Sequence, residues 1–486
     1  MSELPADAAT RRAPHDQPFG PWVQTTLADG WGPEPVVAHP AVDGAAEAAA
    51  DHRARLLAAL GAGTVVVPAG TAPVRANDTV FGFRPASAYT WLTGDQAEGA
   101  VLVLDADGAT VFLPPSAGPG TLTYVTDRRE GALWVGGVPG AEPTARRLAV
   151  AVRPRTDLAA DLAGRPGPVR LLAGVDADVD ALLPGAASRE LELTVDRLRA
   201  VKDAWEVDRL AEACAATARG FADVVAELPG LLAGDGRRGE RWLEGTFWRR
   251  ARFEGNDVGY SSIVAAGANG TSLHWAPVDG DIVAGQLLLA DMGVETTSLY
   301  TADVTRTMPV SGSWTPVQRR VYDAVREAHL AGIAEVRAGN AFLAAHAAAQ
   351  WVLADHLHRW GVTAWSADDA LHPDLARPGA GAHRRYTLHS TSHLLGLDVH
   401  DCARVDGAEY LATTLQPGHA LTVEPGLYFQ VNDRTVPDEL RGLAVRIEDD
   451  LVVTDGAARV LSDALPTDGD ELVAWMADAG TQPRGL

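Results

Sequence analysis

Five short segments set carboxylates and imidazoles inside apolar runs. Residues 285–293 (GQLLLADMG) deliver Asp291 after three leucines. Residues 300–309 (YTADVTRTMP) deliver Asp303 among β-branched neighbours. Residues 386–401 carry His389, His393 and His400, three histidines within twelve positions. Residues 417–426 end in Glu424 ahead of Pro-Gly, and residues 443–453 carry Arg446, Glu448, Asp449 and Asp450. A carboxylate inside an apolar run costs free energy unless a partner compensates it. Each segment alone also has a plainer reading. Asp291 and Glu424 would serve as turn residues, and Asp303–Arg306 and Arg446–Glu448 as structural ion pairs.

Taken together, the segments offer Asp291, Asp303, His393, Glu424 and Glu448: four carboxylates and one imidazole. A chain turning between Leu299 and Asp303 pairs two antiparallel strands and brings Asp291 close to Asp303. Two carboxylates that close cannot both ionise unless a cation lies between them. In a strand, His389 and His393 face one side, as do Arg446 and Glu448, leaving Asp449 on the other. The set is hard and oxygen-rich, which suits manganese better than a lone structural zinc. Four negative charges would hold two divalent cations about 3.5–4 Å apart, a pair that generates hydroxide and polarises a carbonyl. The reaction class is metal-assisted hydrolysis.

The positioning elements read as a mixed α/β chain. An Ala-rich helix is expected over residues 42–60 and a strand over 64–68, followed by a strand-turn-strand over 100–114. One long helix is expected from Glu190 to Glu227, with an apolar stripe from Leu191 through Leu210. Residues 236–239 read as a turn. From Glu244 to Thr454 short β runs dominate, broken by helices near 316–336 and 342–360, with a loop over 366–384. The expected organisation is an arm over 1–40, an α/β domain over 41–189, a catalytic domain over 190–475 and a tail over 476–486.

Composition narrows the function. A net charge of −23, from 64 acidic against 41 basic residues, disfavours phosphate backbones and anionic lipid surfaces as partners. Two cysteines, Cys214 and Cys402, exclude a disulfide framework and a zinc-thiolate cluster. Residues 1–20 show no secretory h-region, and no apolar run reaches the ~18 residues of a membrane span. The expectation is a soluble, cytoplasmic protein that binds neither nucleic acid nor membrane.

These segments, in this order, closely resemble aminopeptidase P (Xaa-Pro aminopeptidase) of the pita-bread metallopeptidase superfamily. The resemblance rests on residues 255–264 (GNDVGYSSIV), Leu273-His274-Trp275, 303–307 (DVTRT), 396–401 (GLDVHD), 422–428 (TVEPGLY) and 445–450 (VRIEDD). Residues 83–94 (FRPASAYTWLTG) resemble the family's N-terminal domain. The resemblance implies a creatinase-like α/β domain followed by a pita-bread catalytic domain. It implies two metal ions, with Asp291 on one, His393 and Glu424 on the other, and Asp303 and Glu448 bridging.

It further implies attack by a metal-bridging hydroxide on a peptide with proline second, with Glu424 moving the proton. His274 and His400 would bind the tetrahedral intermediate, His389 would line the proline pocket, and Arg446 would hold the ligand carboxylates in place. A homo-oligomer, dimer or tetramer, is implied as well. Ser390 departs from the family's Gly or Ala after His389, which predicts strain if the backbone there is left-handed. An Xaa-Pro dipeptidase (prolidase) is the alternative. A metal-free pita-bread binding protein is a third reading, opposed by the full set of ligand carboxylates.

Overall fold

The computed structural model describes residues 20–32, 41–137, 139–165, 167–405 and 407–480. The chain divides into two compact units, Met1–Leu198 and Arg199–Leu486. The expected arm lies largely outside the described residues, apart from a short helix, Pro21–Ala28. The helix Gly469–Ala479 runs into the expected tail, of which residues 481–486 lie outside the described residues.

The first unit is built on a five-stranded mixed sheet. Its order is Ala151–Pro154, Gly108–Leu113, Val101–Asp105, Thr64–Pro68, Val169–Leu171. The central pairs are antiparallel and the two outer pairs parallel. Val66, Val101, Val103 and Phe112 pack with Leu158, Leu162 and Val179 into one core. Burial on both faces explains why Thr64–Pro68 and Val101–Asp105 read as unbroken apolar runs.

The expected single helix from Glu190 is two. Arg189–Ala200 ends, and Ala204–Ala233 begins behind a capping box in which Asp203 and Glu206 satisfy each other's backbone N–H groups. Between them Val201 bridges to His419 and the Lys202 N–H donates to the Gly418 carbonyl. The apolar stripe hides the break, because it continues on both sides. The β-rich expectation from Glu244 also fails at its start. Residues Gly239–Glu254 form a helix that buries Leu243, Phe247 and Ala251 at a spacing of four, the helical period.

The second unit holds several short antiparallel sheets. Leu287–Met292 lies between Val304–Pro309 and Ile263–Ala266. Ala420–Val423 pairs with Asp449–Val452, and Gly426–Tyr428 with Ala444–Arg446. The helices Pro316–Glu335 and Leu343–Arg359 fall where expected, the first opened by a Thr315–Gln318 capping box with Pro316 at its first position. No helix among the described residues is long and apolar enough to cross a membrane.

Candidate metal centre

Asp291 and Asp303 come from the expected hairpin. Asp291 pairs with Thr305 across the antiparallel ladder, and Asp303 immediately precedes the partner strand. The strands cross so closely that a Cβ at Gly293 would lie 1.8 Å from the Ala302 carbonyl oxygen. Glycine at that position is therefore a steric requirement. The Asp303 N–H donates to Asp450 Oδ2 at 2.9 Å, and the Cys214 thiol donates to the same oxygen at 3.2 Å. Asp303 does not pair with Arg306. That fully buried guanidinium donates to Asp449 Oδ1 at 2.6 Å instead.

His393 stands between two of the carboxylates. Its Nε2 lies 3.3 Å from Asp303 Oδ2 and 3.4 Å from Glu424 Oε1. Asp303, His393 and Glu448 each offer a ligand atom within 4.8 Å of the others. The segment bearing His389 and His393 is not the regular strand expected of it. The Leu395 N–H donates to Ala420, and the Thr422 N–H to the His393 carbonyl, as in a ladder. The His393 N–H donates to the Thr422 hydroxyl instead, which breaks the pairing.

Glu448 Oε2 accepts from the Thr305 hydroxyl at 2.6 Å. Its Oε1 is buried and has no hydrogen-bond partner among the described residues. An orphaned carboxylate oxygen beside other carboxylates fits a cation. The electrostatics agree. Burial, then Asp303, Glu424 and Asp291, push Glu448 well above the usual carboxylate range. Burial, with Asp303 and Glu424, raises Asp291 to about 6 against the opposing pull of Arg446. Burial would raise Glu424 too, but the hydrogen bond and charge of His389, with His393 and Arg446, hold it at about 2. Burial lowers His393, but Asp303 and Glu424 carry it to about 9. The cluster therefore takes up protons that bound divalent metal would displace.

Arg446 organises the floor. Its Nη2 donates to Asp291 Oδ2 at 2.5 Å, Nε to the Thr305 hydroxyl at 3.0 Å, and Nη1 to the Tyr428 hydroxyl at 2.9 Å. Tyr260 donates to the other Asp291 oxygen at 2.6 Å. Tyr428 is also 2.9 Å from His389 Nε2. With Arg446 donating to Tyr428, that hydroxyl is free to donate to Nε2, which assigns the His389 proton to Nδ1. His389 Nδ1 faces the Ser390 carbonyl at 2.7 Å and Glu424 Oε2 at 3.4 Å. Ser390 is not among the residues with positive φ, so the serine imposes no left-handed strain.

The two remaining histidines stand at the solvent side, both exposed. His400 meets His393 edge to face, with ring centroids 4.5 Å apart. Burial and the charges of His393 and His274 lower its pKa, against Asp303 and Glu424. His274 thus acts on the same group of residues from the loop after the helical turn Gly267–Thr271. Eight of the nine expected site residues therefore gather around one acidic cluster, and the ninth, His274, reaches it through its charge on His400.

Sequence reasoning gave no role to Tyr260, Tyr428, Thr305 or Asp450. The Asp291–Thr305 register contained the one available signal, since a residue opposite Asp291 must lie beside it.

The chain matches the profile of metallopeptidase family M24 over residues 208–455, and that of the aminopeptidase P N-terminal domain over residues 49–165. It is 46% identical to Xaa-Pro aminopeptidase 2 of Streptomyces coelicolor, over 88% of this chain and 90% of that protein. It is 29% identical to Xaa-Pro aminopeptidase 3 of Mus musculus, over 84% of this chain and 80% of that one. Among solved structures, Pseudomonas aeruginosa aminopeptidase PepP superposes with a TM-score of 0.78 at 28% identity, covering 90% of this chain and 99% of that one. Escherichia coli aminopeptidase P with the inhibitor Pro-Leu gives a TM-score of 0.78 at 26% identity, with the same coverage. An acidic cluster with an orphaned oxygen, on an aminopeptidase P-like scaffold matched along most of its length, leads to one conclusion: the chain belongs to metallopeptidase family M24, as a member of its Xaa-Pro aminopeptidase group.

Proposed function

We propose that the chain is a metal-dependent Xaa-Pro aminopeptidase that releases the N-terminal residue of peptides with proline second. The observation that carries this reading is that Asp303, His393 and Glu448 each offer a ligand atom within 4.8 Å of the others, and that Glu448 keeps one buried oxygen without a hydrogen-bond partner among the described residues. In this reading Asp291, Asp303, His393, Glu424 and Glu448 hold two divalent cations, and manganese fits the hard donor set. When bound, the cations supply a nucleophilic hydroxide at neutral pH and polarise the scissile carbonyl.

The chain's own groups do the rest. Glu424, ionised down to about 2, accepts the proton of the attacking water and delivers it to the departing proline nitrogen. The Nδ1–H of His389, 3.4 Å from Glu424 Oε2, steadies that carboxylate, and the ring lines the proline pocket. His274 and His400 donate to the tetrahedral oxyanion. Arg446 keeps Asp291 fixed, and Asp291 receives the free amine of the substrate.

The assembly is a homo-oligomer in this reading, and its place of action is the cytoplasm, where the buried thiols of Cys214 and Cys402 stay reduced. Metal-stripped protein reloaded with manganese would be assayed for alanine release from Ala-Pro-Ala and from Ala-Pro. Metal-dependent cleavage of the tripeptide, with little of the dipeptide, is expected. Preference for Ala-Pro would make the chain a dipeptidase, and no cleavage of either with manganese bound would overturn the reading.

A further inference from the structure

Glu240 lies in the first turn of the helix Gly239–Glu254 and has no exposed surface. Its carboxylate accepts four hydrogen bonds. Oε1 takes the Ala266 N–H at 2.7 Å and the Asn269 side-chain amide at 2.8 Å. Oε2 takes the Trp275 indole N–H at 2.8 Å and the Gly280 N–H at 2.6 Å. All four donors are neutral. The adjacent Arg241 turns away, donating to the carbonyls of Pro277 and Val278. The helix N-terminus favours the negative charge, and the donors use every lone-pair direction of an ionised carboxylate.

The four donors belong to one loop. Ala266 closes the strand Ile263–Ala266, which pairs with the strand carrying Asp291. Gly280 lies at the loop's far end, where a Cβ would come within 2.6 Å of Glu240 Oε1. The Glu240 N–H donates back to the Gly280 carbonyl at 3.1 Å. Between these ends stands His274, directly before Trp275. Leu273 and Trp275, on either side of His274, pack against Ile263, Ala265, Leu289, Tyr428 and Ala444. A single buried carboxylate thus ties both ends and the middle of the loop that presents His274.

We infer that Glu240 is the positioning residue for His274, a four-point clamp that aims the imidazole at the substrate; the kinetic part of this inference rests on the proposed peptidase activity. Glu240→Gln keeps size and shape but turns one oxygen into a donor. With Oε1 kept as oxygen, the new amide opposes the N–H groups of Trp275 and Gly280, and the half of the loop next to His274 is released.

The test combines exchange and kinetics on the manganese-reloaded protein. Amide hydrogen exchange over residues 266–280 should quicken in Glu240→Gln, and unchanged exchange there would overturn the clamp whether or not the protein cleaves peptides. For cleavage of Ala-Pro-Ala, kcat should fall by about 100-fold, as expected for a group displaced by roughly 1 Å, while manganese content stays at the wild-type level. In a His274→Ala background the same substitution should have almost no further effect on kcat. An equal fall in both backgrounds would reduce Glu240 to a general structural role and overturn the inference. Should Glu240→Gln fail to fold, Trp275→Phe removes one of the four donors and should give the same exchange and background dependence in milder form. An inactive wild-type protein would count against the proposed function, and the exchange result would still decide the clamp.

Discussion

Arg446 and Asp291 meet at 2.5 Å between Nη2 and Oδ2, and this contact ties the strand Ala444–Arg446 to the strand Leu287–Met292 beneath the acidic cluster. The same guanidinium reaches Thr305 and Tyr428, so one planar group sets the orientation of three side chains. An ammonium cannot reproduce that fork. Arg446→Lys should lower manganese affinity or kcat about 10–100-fold, measured by calorimetric titration of the metal-stripped protein and by Ala-Pro-Ala turnover.

Glu448 separates stability from function. Without metal, burial and repulsion from Asp303, Glu424 and Asp291 disfavour its charged form. Glu448→Gln removes that repulsion and removes a ligand. The metal-stripped variant should therefore melt no lower than the metal-stripped wild type. The gain on adding manganese, ~2.7 kcal/mol for the wild type at 100 times its Kd, should largely vanish. Melting temperatures of both proteins with and without manganese check this.

Asp401 lies between Arg199 at 2.5 Å and Lys202 at 2.8 Å. Burial alone would raise its pKa, but the two cations hold it at about 2, below the ~3.9 of an unfolded aspartate. A lowered acid contributes stability that is complete above the unfolded value and is lost as pH falls through the folded one. Asp401→Asn should cost about 3–5 kcal/mol at neutral pH, because it removes the ion-pair partner of the buried Lys202, while Arg199 keeps Asp398 at 3.0 Å. Its deficit against the wild type should shrink between pH ~4 and ~2. Urea unfolding at pH 7 and pH 3 gives the comparison.

The parts of this molecule that were legible in the sequence are those in which one residue's surroundings are its own neighbours. The Asp291–Asp303 hairpin follows from two apolar runs around a turn, and the helix at Pro316 from its own cap. The break before Asp203 was written in the Asp203–Glu206 box, but the apolar stripe on both sides masked it. The His389–His393 segment reads as a strand by composition. It fails as one because a threonine hydroxyl from elsewhere takes a backbone N–H. The roles of Tyr260 and Tyr428 depend on partners 31 and 18 residues away, a distance that no local pattern encodes. The same holds for Glu240, whose four donors lie 26 to 40 residues further on.

Lys202 is the only lysine in the sequence, and its side chain is 1% exposed against Asp401. Every other residue of the Lys and Arg count is an arginine, whose guanidinium does not react with acylating reagents near neutral pH. The folded surface therefore presents no ε-amine to an activated ester, an aldehyde fixative or an acetyl donor. Acylation of Lys202 becomes a clock for the opening of the core around Asp401, readable by mass on the peptide that carries the lysine.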